Sequence, residues 1–136
     1  MKRSQIRELA FKLIYSCEVQ KEMDDEQTQI FIEENQITEK DDVTYITEVY
    51  RGIKKNKDEI SSLISKNLKE KWTMERIAKI DFAILEVAIF ELIYTKLPYK
   101  VVIDEAVKLS KKYGNEKSKL FVNGILASIV KEKNLA

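Results

Sequence analysis

Apolar residues recur at intervals of three and four along most of this chain, which is the pattern of amphipathic helices. The first such stretch, from about Arg3 to Lys21, has one apolar face. The members of that face are Ile6, Leu9, Ala10, Leu13, Ile14 and Cys17. A short second helix is predicted to begin at Asp24 and Asp25, because carboxylates suit a helix N-terminus, and to end near Asn35.

The middle of the chain predicts two helical segments with a break between them. Thr38 and Asp41 have the spacing of a capping box, in which two side chains satisfy free backbone N–H groups at a helix start. The helical pattern that follows is interrupted between Gly52 and Asn56 and then resumes as far as Leu68. We therefore expect one helix on each side of that interruption.

The most apolar part of the chain predicts a long helix from about Thr73 to Thr95. Thr73 is the expected N-cap, and Trp72 is placed to pack on Ile77 beside the first turn. The second half of this helix is apolar on nearly every face, so neighbouring helices must cover most of its sides. We therefore expect it at the centre of the fold.

Two further helices complete the prediction. One begins at Pro98, whose missing N–H does no harm in a first turn, and ends at Gly114. The other extends from about Lys117 to Lys133. The chain has only three glycines and one proline, which leaves few turns for a sheet of many strands. The pattern predicts an all-α fold of six or seven helices in a single domain, residues 1–136.

Composition narrows the class of protein. Apolar residues make up 44% and charged residues 35% of the 136 positions, which is ordinary for a soluble globular protein. The N-terminus lacks the features of a signal peptide, and the single cysteine excludes an internal disulfide, so we expect a cytoplasmic protein. The net charge is +1, so any contact with nucleic acid must depend on local basic patches.

The residue types argue against an enzyme. The chain has no histidine, which removes the usual general base near neutral pH and the commonest metal ligand. Cys17 lies on an apolar helix face, which favours a buried structural thiol over a nucleophile. The three glycines are scattered, so no loop can cradle a phosphate. We expect no catalytic residue, no metal and no cofactor.

The start of the first helix is a candidate for contact with RNA. Arg3 and Arg7 are four residues apart and share a helix face, with Lys2 beside them. Guanidinium groups suit both phosphate contacts and stacking on bases. The alternative interpretation is a basic turn that is simply solvated.

The start of the last helix is a second candidate. Lys119 and Asn123 share a face, and Lys117 lies at the helix start, where free N–H groups attract phosphate. An exposed Phe121 could stack on an unpaired base, and an amide can read a base edge. In the alternative interpretation Phe121 belongs to the core, Asn123 is solvated and Gly124 permits close helix packing.

The central helix offers a third surface, for a protein partner. Asp81, Leu85 and Ala88 recur at helical spacing. If neighbouring helices left this stripe uncovered, it would form an apolar groove with charge at its edge. Burial in the core is the competing interpretation.

Four segments of the chain together carry a family resemblance. They are Arg7–Ala10 with Leu13–Tyr15, Ala83–Leu85 with Ala88 and Phe90–Leu92, Pro98–Val101 with Ile103–Leu109, and Ser118 with Phe121–Leu126. In this order and at this spacing, over nearly the whole chain, they resemble the NusB family of transcription antitermination proteins.

The resemblance implies an all-α fold of two small packed helical subdomains. It also implies a partner, the ribosomal small-subunit protein NusE, and joint binding of boxA-type single-stranded RNA from ribosomal RNA operons within a larger RNA polymerase complex. Carried over by position, the RNA surface would include Arg3, Arg7, Tyr15, Lys119, Phe121 and Asn123. The NusE surface would include Asp81 and the exposed part of its helix, with Leu85 and Ala88.

Two departures from the family pattern bear on RNA affinity. Family members often carry a denser arginine cluster at the N-terminus, whereas three residues here separate Arg3 from Arg7. Fewer phosphate contacts weaken the electrostatic part of RNA binding, so we expect the chain to depend more on its partner. Lys117 stands where the family can have an acidic residue, which returns some of that affinity.

Other functions remain open at this point. A helical adaptor that binds only protein, or a ribosome-maturation factor, would use the same fold. Self-association as a homodimer is left open as well. A NusB-like module fused to an RNA methyltransferase is disfavoured, because the sequence ends at Ala136 without a catalytic domain.

Overall fold

The computed structural model describes residues 1–136 and contains seven α-helices and no β-strand. The helices are α1 (Arg3–Gln20), α2 (Asp25–Glu34), α3 (Lys40–Lys55), α4 (Lys57–Lys66), α5 (Lys79–Tyr94), α6 (Tyr99–Tyr113) and α7 (Ser118–Glu132). A 3-10 turn, Met74–Arg76, lies between α4 and α5. The prediction of an all-α fold is confirmed.

Most helix boundaries follow the chemistry of the residues at the ends. The Asp24 carboxylate caps α2 by accepting the Glu26 backbone N–H at 3.0 Å, and α2 ends at the predicted Asn35. The break between α3 and α4 falls at Asn56, whose side-chain amide donates to the Gly52 carbonyl at 2.8 Å. These predictions are confirmed.

Two predicted helix starts are wrong. Helix α3 begins at Lys40 after Glu39, without the capping box expected from Thr38 and Asp41. Thr73 caps no long helix, because the chain forms only a 3-10 turn there before α5 begins at Lys79. Between these elements Ile77 is extended and buried, and its burial favours a break over a continuous helix.

Helix α5 lies at the centre of the fold, as its apolar sequence predicts. It packs against α1, α3, α4, α6 and α7, and every side chain from Ala83 to Leu92 is buried. Helices α1, α3 and α4 pack on α5, and α3 also packs on α1, α2 and α4. Helices α6 and α7 pack on each other and on α5. The two groups share one continuous hydrophobic core through α5.

Helices α3 and α5 approach each other closely at Gly52. A Cβ atom at this position would lie 2.0 Å from Cε1 of Phe90, well inside van der Waals contact. Only glycine fits here without displacing the Phe90 ring.

One cluster of ionisable side chains extends from the surface into the core. Glu86 of α5 is fully buried, and its Oε2 accepts from Nζ of Lys57 at 2.6 Å; Lys57 also contacts Glu18. Burial, reinforced by Glu18, raises the pKa of Glu86 to about 9. Because this pKa lies above neutrality, the Glu86 carboxyl holds its proton in the folded protein at pH 7.

None of the seven helices combines the length and the apolar character that crossing a bilayer requires.

Candidate nucleic-acid interface

The N-terminal end of α1 presents two exposed cations, as predicted. The side chains of Lys2 and Arg3 are open to solvent, and the Arg3 guanidinium lies 4.4 Å from the ring centroid of Tyr45. This cation–π contact orients Arg3 on the surface. The Ser4 hydroxyl donates to Glu105 of α6 at 2.8 Å, which holds this end of α1 against α6.

Arg7 does not belong to that exposed surface, so its placement among the RNA contacts needs correction. Its side chain is only 3% exposed, and its guanidinium donates to both oxygens of Glu91, from Nε at 2.7 Å and from Nη2 at 3.1 Å. Glu105 lies 3.6 Å from Nη1, and the Tyr45 hydroxyl donates to Glu91 at 3.2 Å. Burial opposes the charge, but Glu91 raises the pKa of Arg7 above its ordinary value. Arg7 is therefore a structural cation.

A second set of contacts holds α1 beside α6. Lys112 donates to the Glu8 carboxylate at 2.9 Å, and the Tyr113 hydroxyl donates to the same oxygen. These hydrogen bonds lower the pKa of Glu8. Consequently the exposed cations of α1 and the outer surface of α6 lie close together.

The candidate residues of α7 divide between two sides of the helix. Lys119 and Asn123 are exposed on the side that faces α6. Phe121 is half-buried on another side, where its ring packs against Trp72 with 5.1 Å between centroids. Lys117 is exposed just ahead of the first turn. The structure therefore confirms the shared face of Lys119 and Asn123 and separates Phe121 from it.

An open groove of about 440 Å³ lies between α6 and α7. Its lining residues are Ile103, Asp104, Val107, Lys108, Lys111, Lys119, Leu120 and Asn123. Three lysines and one aspartate give the groove a positive balance in a chain whose net charge is only +1. A phosphate backbone is the ligand that such a groove suits best.

Sequence reasoning missed Lys108 and Lys111. They are three residues apart on α6 and therefore share the face that meets α7. That spacing of three residues is visible in the sequence and could have indicated a shared basic face. In the sequence Lys111 indicates only a favourable charge at a helix C-terminus, because the pairing of α6 with α7 is not visible there.

Tyr15 lies away from this groove and is only partly exposed. Its ring centroid is 6.2 Å from that of Phe11, which in turn packs on Tyr113 at 5.1 Å. Its predicted contact with RNA stays a prediction.

The first turn of α7 satisfies part of its own hydrogen-bonding capacity. The Lys117 backbone N–H donates to the Asn115 side chain at 2.9 Å, and the Asn115 N–H donates to the Ser118 hydroxyl at 3.0 Å. Ser118 itself is buried. The phosphate attraction expected from free N–H groups at this helix start is reduced accordingly.

The structure buries the three residues of the predicted partner surface on α5. Leu85 is fully buried and Ala88 is 3% exposed, so neither can reach a partner protein. Asp81 is buried as well; burial raises its pKa, and the Ser118 hydroxyl opposes that rise. Five other helices pack around α5 and cover these three residues. The alternative interpretation, in which the stripe is buried in the core, describes the isolated chain.

The remaining candidates for chemistry are structural. Cys17 is buried, and desolvation raises the pKa of its thiol to about 11, which keeps it protonated and unreactive at neutral pH. No three side chains of the His, Cys, Asp and Glu types lie close enough together to hold a metal ion.

Comparisons with known proteins agree with the sequence resemblance. Residues 4–131 match the model of the NusB family. The transcription antitermination protein NusB of Acetivibrio thermocellus is 43% identical over 134 residues, which cover 98% of this chain and 91% of that protein.

Solved structures give the same result. NusB of T. maritima superimposes with a TM-score of 0.86 at 36% identity, over 97% of this chain and 92% of that one. A chain in the crystal structure of antitermination factors NusB and NusE in complex with dsRNA gives a TM-score of 0.85 at 30% identity. That match covers 97% of this chain and 99% of the other.

Proposed function

Since this chain belongs to the NusB family, we propose that it is a transcription antitermination factor that binds boxA-type RNA of ribosomal RNA operons together with NusE. The observation that carries this proposal is its near full-length likeness to a chain crystallised with NusE and dsRNA. The protein is a non-enzymatic RNA-binding factor. It acts as one domain in the cytoplasm, within the wider RNA polymerase antitermination complex.

The distribution of charge supports RNA binding at α6 and its neighbours. Lys2 and Arg3 are exposed on one side of α6, and the groove between α6 and α7 contributes Lys108, Lys111 and Lys119. Each lysine that neutralises a phosphate releases a counterion, so the affinity should fall as salt rises. Both patches thus supply the sequence-independent part of the binding energy.

The small number of free cations near α1 also leads us to expect that RNA binding depends on NusE. Arg7 is held by Glu91 and Glu105 and is unavailable to RNA, which leaves only Lys2 and Arg3 as free cations at the start of α1. We therefore expect weak binding by the isolated chain and tight, sequence-selective binding when NusE is present. Because Leu85 and Ala88 are buried, we expect NusE to contact further residues outside this stripe.

The direct test is the binding of a short boxA-like RNA, at stated salt concentrations, with and without NusE. A scrambled RNA of the same composition is the reference. Tight binding that requires both the boxA sequence and NusE supports the proposal. Equal binding to the scrambled RNA, or no effect of NusE, contradicts it and favours an adaptor that binds protein only.

A pair of variants tests the groove itself. The double change Lys111→Ala/Lys119→Ala should weaken RNA binding several-fold. It should also reduce the slope of log affinity against log salt by about 1.4, since each phosphate of a single strand that is no longer neutralised contributes about 0.7. The matched control is Lys40→Ala/Lys55→Ala, which removes two exposed lysines from α3. Equal effects of both pairs would show that only overall charge matters.

A further inference from the structure

An aromatic pair, the exposed Trp72 and the half-buried Phe121, lies beside the side of α7 that does not face the groove. Trp72, in the segment before α5, keeps 46% of its surface exposed although its ring packs against Phe121, with centroids 5.1 Å apart and planes at 37°. A large aromatic surface left open to solvent is unfavourable, and such surfaces commonly mark binding sites.

The backbone around Trp72 is held in place. Lys71, immediately before it, has a φ of 75°, in the left-handed region that residues other than glycine rarely adopt. The Arg76 guanidinium donates to the Lys71 carbonyl at 3.1 Å and lies 5.8 Å from the centroid of the Trp72 ring. The segment therefore presents Trp72 with a cation beside its ring.

Gly124 lies one turn beyond Phe121 on α7, and the fold of the chain does not require a glycine there. An added Cβ atom would meet no atom within 4 Å, and the position is exposed. This overturns the interpretation that Gly124 permits close packing of helices within the chain. Glycine is among the least favourable residues in a helix, so its presence here fits the close approach of something outside the chain.

The charges around this surface favour RNA over a hydrophobic partner. Lys117 is exposed one turn before Phe121, and Arg76 contacts Trp72. Asn123, next to Gly124, offers an exposed side-chain amide on the groove side of α7, between this surface and the groove lysines. Aromatic rings flanked by cations are how proteins hold unpaired bases and the phosphates that join them.

We propose that Trp72, Phe121 and Gly124 form a site for one unpaired base of single-stranded RNA. The base stacks on Trp72 beside Phe121, and the strand passes close over the α7 backbone at Gly124 on its way to the lysines of the α6–α7 groove. This inference rests on the proposed function and adds Trp72 and Gly124 to the RNA-binding residues.

Trp72 is the only tryptophan in the chain, so its fluorescence reports on this site alone. Titration of the protein–NusE complex with boxA-like RNA should quench the emission of Trp72 in step with binding. The same titration of a Trp72→Phe complex measures any signal from NusE, which is subtracted. Binding without a change in Trp72 emission would overturn the inference.

Variants separate stacking from a structural role. Trp72→Leu should weaken RNA binding at least about fivefold, whereas Trp72→Phe should retain most of the affinity because it keeps an aromatic face. Gly124→Ala should raise the thermal midpoint and yet weaken RNA binding. A purely structural glycine could not produce that combination. The control is Tyr94→Leu, which removes a partly exposed ring from the end of α5.

The outcomes distinguish the two proposals. No RNA binding by the unmodified chain with NusE overturns the proposed function and this site together. Normal RNA binding that Trp72→Leu and Gly124→Ala leave unchanged overturns this site alone. If these variants instead weaken the binding of NusE in the absence of RNA, the surface belongs to the protein partner, and the base site is wrong.

Discussion

At the scale of single residues, the contact between Arg7 and Glu91 decides how the N-terminus is used. Both side chains are almost fully buried and joined by two hydrogen bonds. Removing one partner from such a pair leaves a buried charge without compensation, which costs far more than the pair itself contributes. Arg7 therefore stabilises the fold and is not available to bind a ligand.

We predict that Arg7→Ala lowers the free energy of unfolding by about 3–5 kcal/mol, because Glu91 is left buried and unpaired. The double variant Arg7→Met/Glu91→Met should recover most of that loss, since both charges are then absent. Urea denaturation of the three proteins measures this. If the Arg7→Ala protein were as stable as the unmodified chain and bound RNA poorly, this prediction would be wrong and Arg7 would be an RNA contact.

The burial of Arg7 could partly have been predicted from the sequence, although its spacing from Arg3 points to an exposed basic face. Arg7 shares a spacing of four with Arg3, which suggests one basic face, but it equally shares the apolar face of Ala10 and Ile14. Glu86 and Glu91 lie in an otherwise apolar stretch, where a buried carboxyl group must either meet a cation or keep its proton. Which cations meet them, Lys57 and Arg7, depends on tertiary packing that one sequence does not reveal.

At the scale of elements, the sequence predicts where most helices occur, but it predicts only some of the residues at which they begin. Asp24 and Gly114 mark ends through local chemistry, and both ends lie at the predicted positions. Thr38 and Thr73 have equally good local chemistry, yet no α-helix begins there. Tertiary packing, which one sequence does not show, determined where these two helices begin. The residues that line the groove between α6 and α7 could not be predicted for the same reason.

Two glycines give opposite predictions for the same substitution. Gly52→Ala should destabilise the protein by about 1–3 kcal/mol, because its Cβ would overlap the Phe90 ring where α3 meets α5. Gly124→Ala should stabilise it by up to about 1 kcal/mol, because the position is open and helical. Thermal or urea denaturation of both variants is the measurement, and a loss of stability in both would show that α7 needs its glycine for the fold.

At the scale of the whole molecule, stability should depend on pH through Glu86. Its pKa is about 9 in the folded protein, above the ordinary value of 4.5, so the folded state holds a proton that the unfolded state releases. The stabilisation from this proton is complete below about pH 4.5 and is lost as pH rises towards 9. The chain has no histidine to obscure this range.

We therefore predict that the free energy of unfolding falls steadily between about pH 5 and pH 9. Glu86→Gln, which mimics the protonated carboxyl, should flatten that dependence. Urea denaturation at several pH values tests it. A profile that stays equally steep in the Glu86→Gln protein would assign the effect to other groups.

The contacts of α1 also set an order of events during synthesis. Arg7 finds Glu91 only 84 residues later in the chain, and Glu8 finds Lys112 only after 104. At a translation rate of about 5–20 residues per second, α1 waits roughly 4–17 s for α5 to be made. For that time only α3 of its main neighbours is available, and the part of the apolar face of α1 that packs on α5 stays open to chaperones on the ribosome. The first helix to be synthesised is thus among the last to reach its final position.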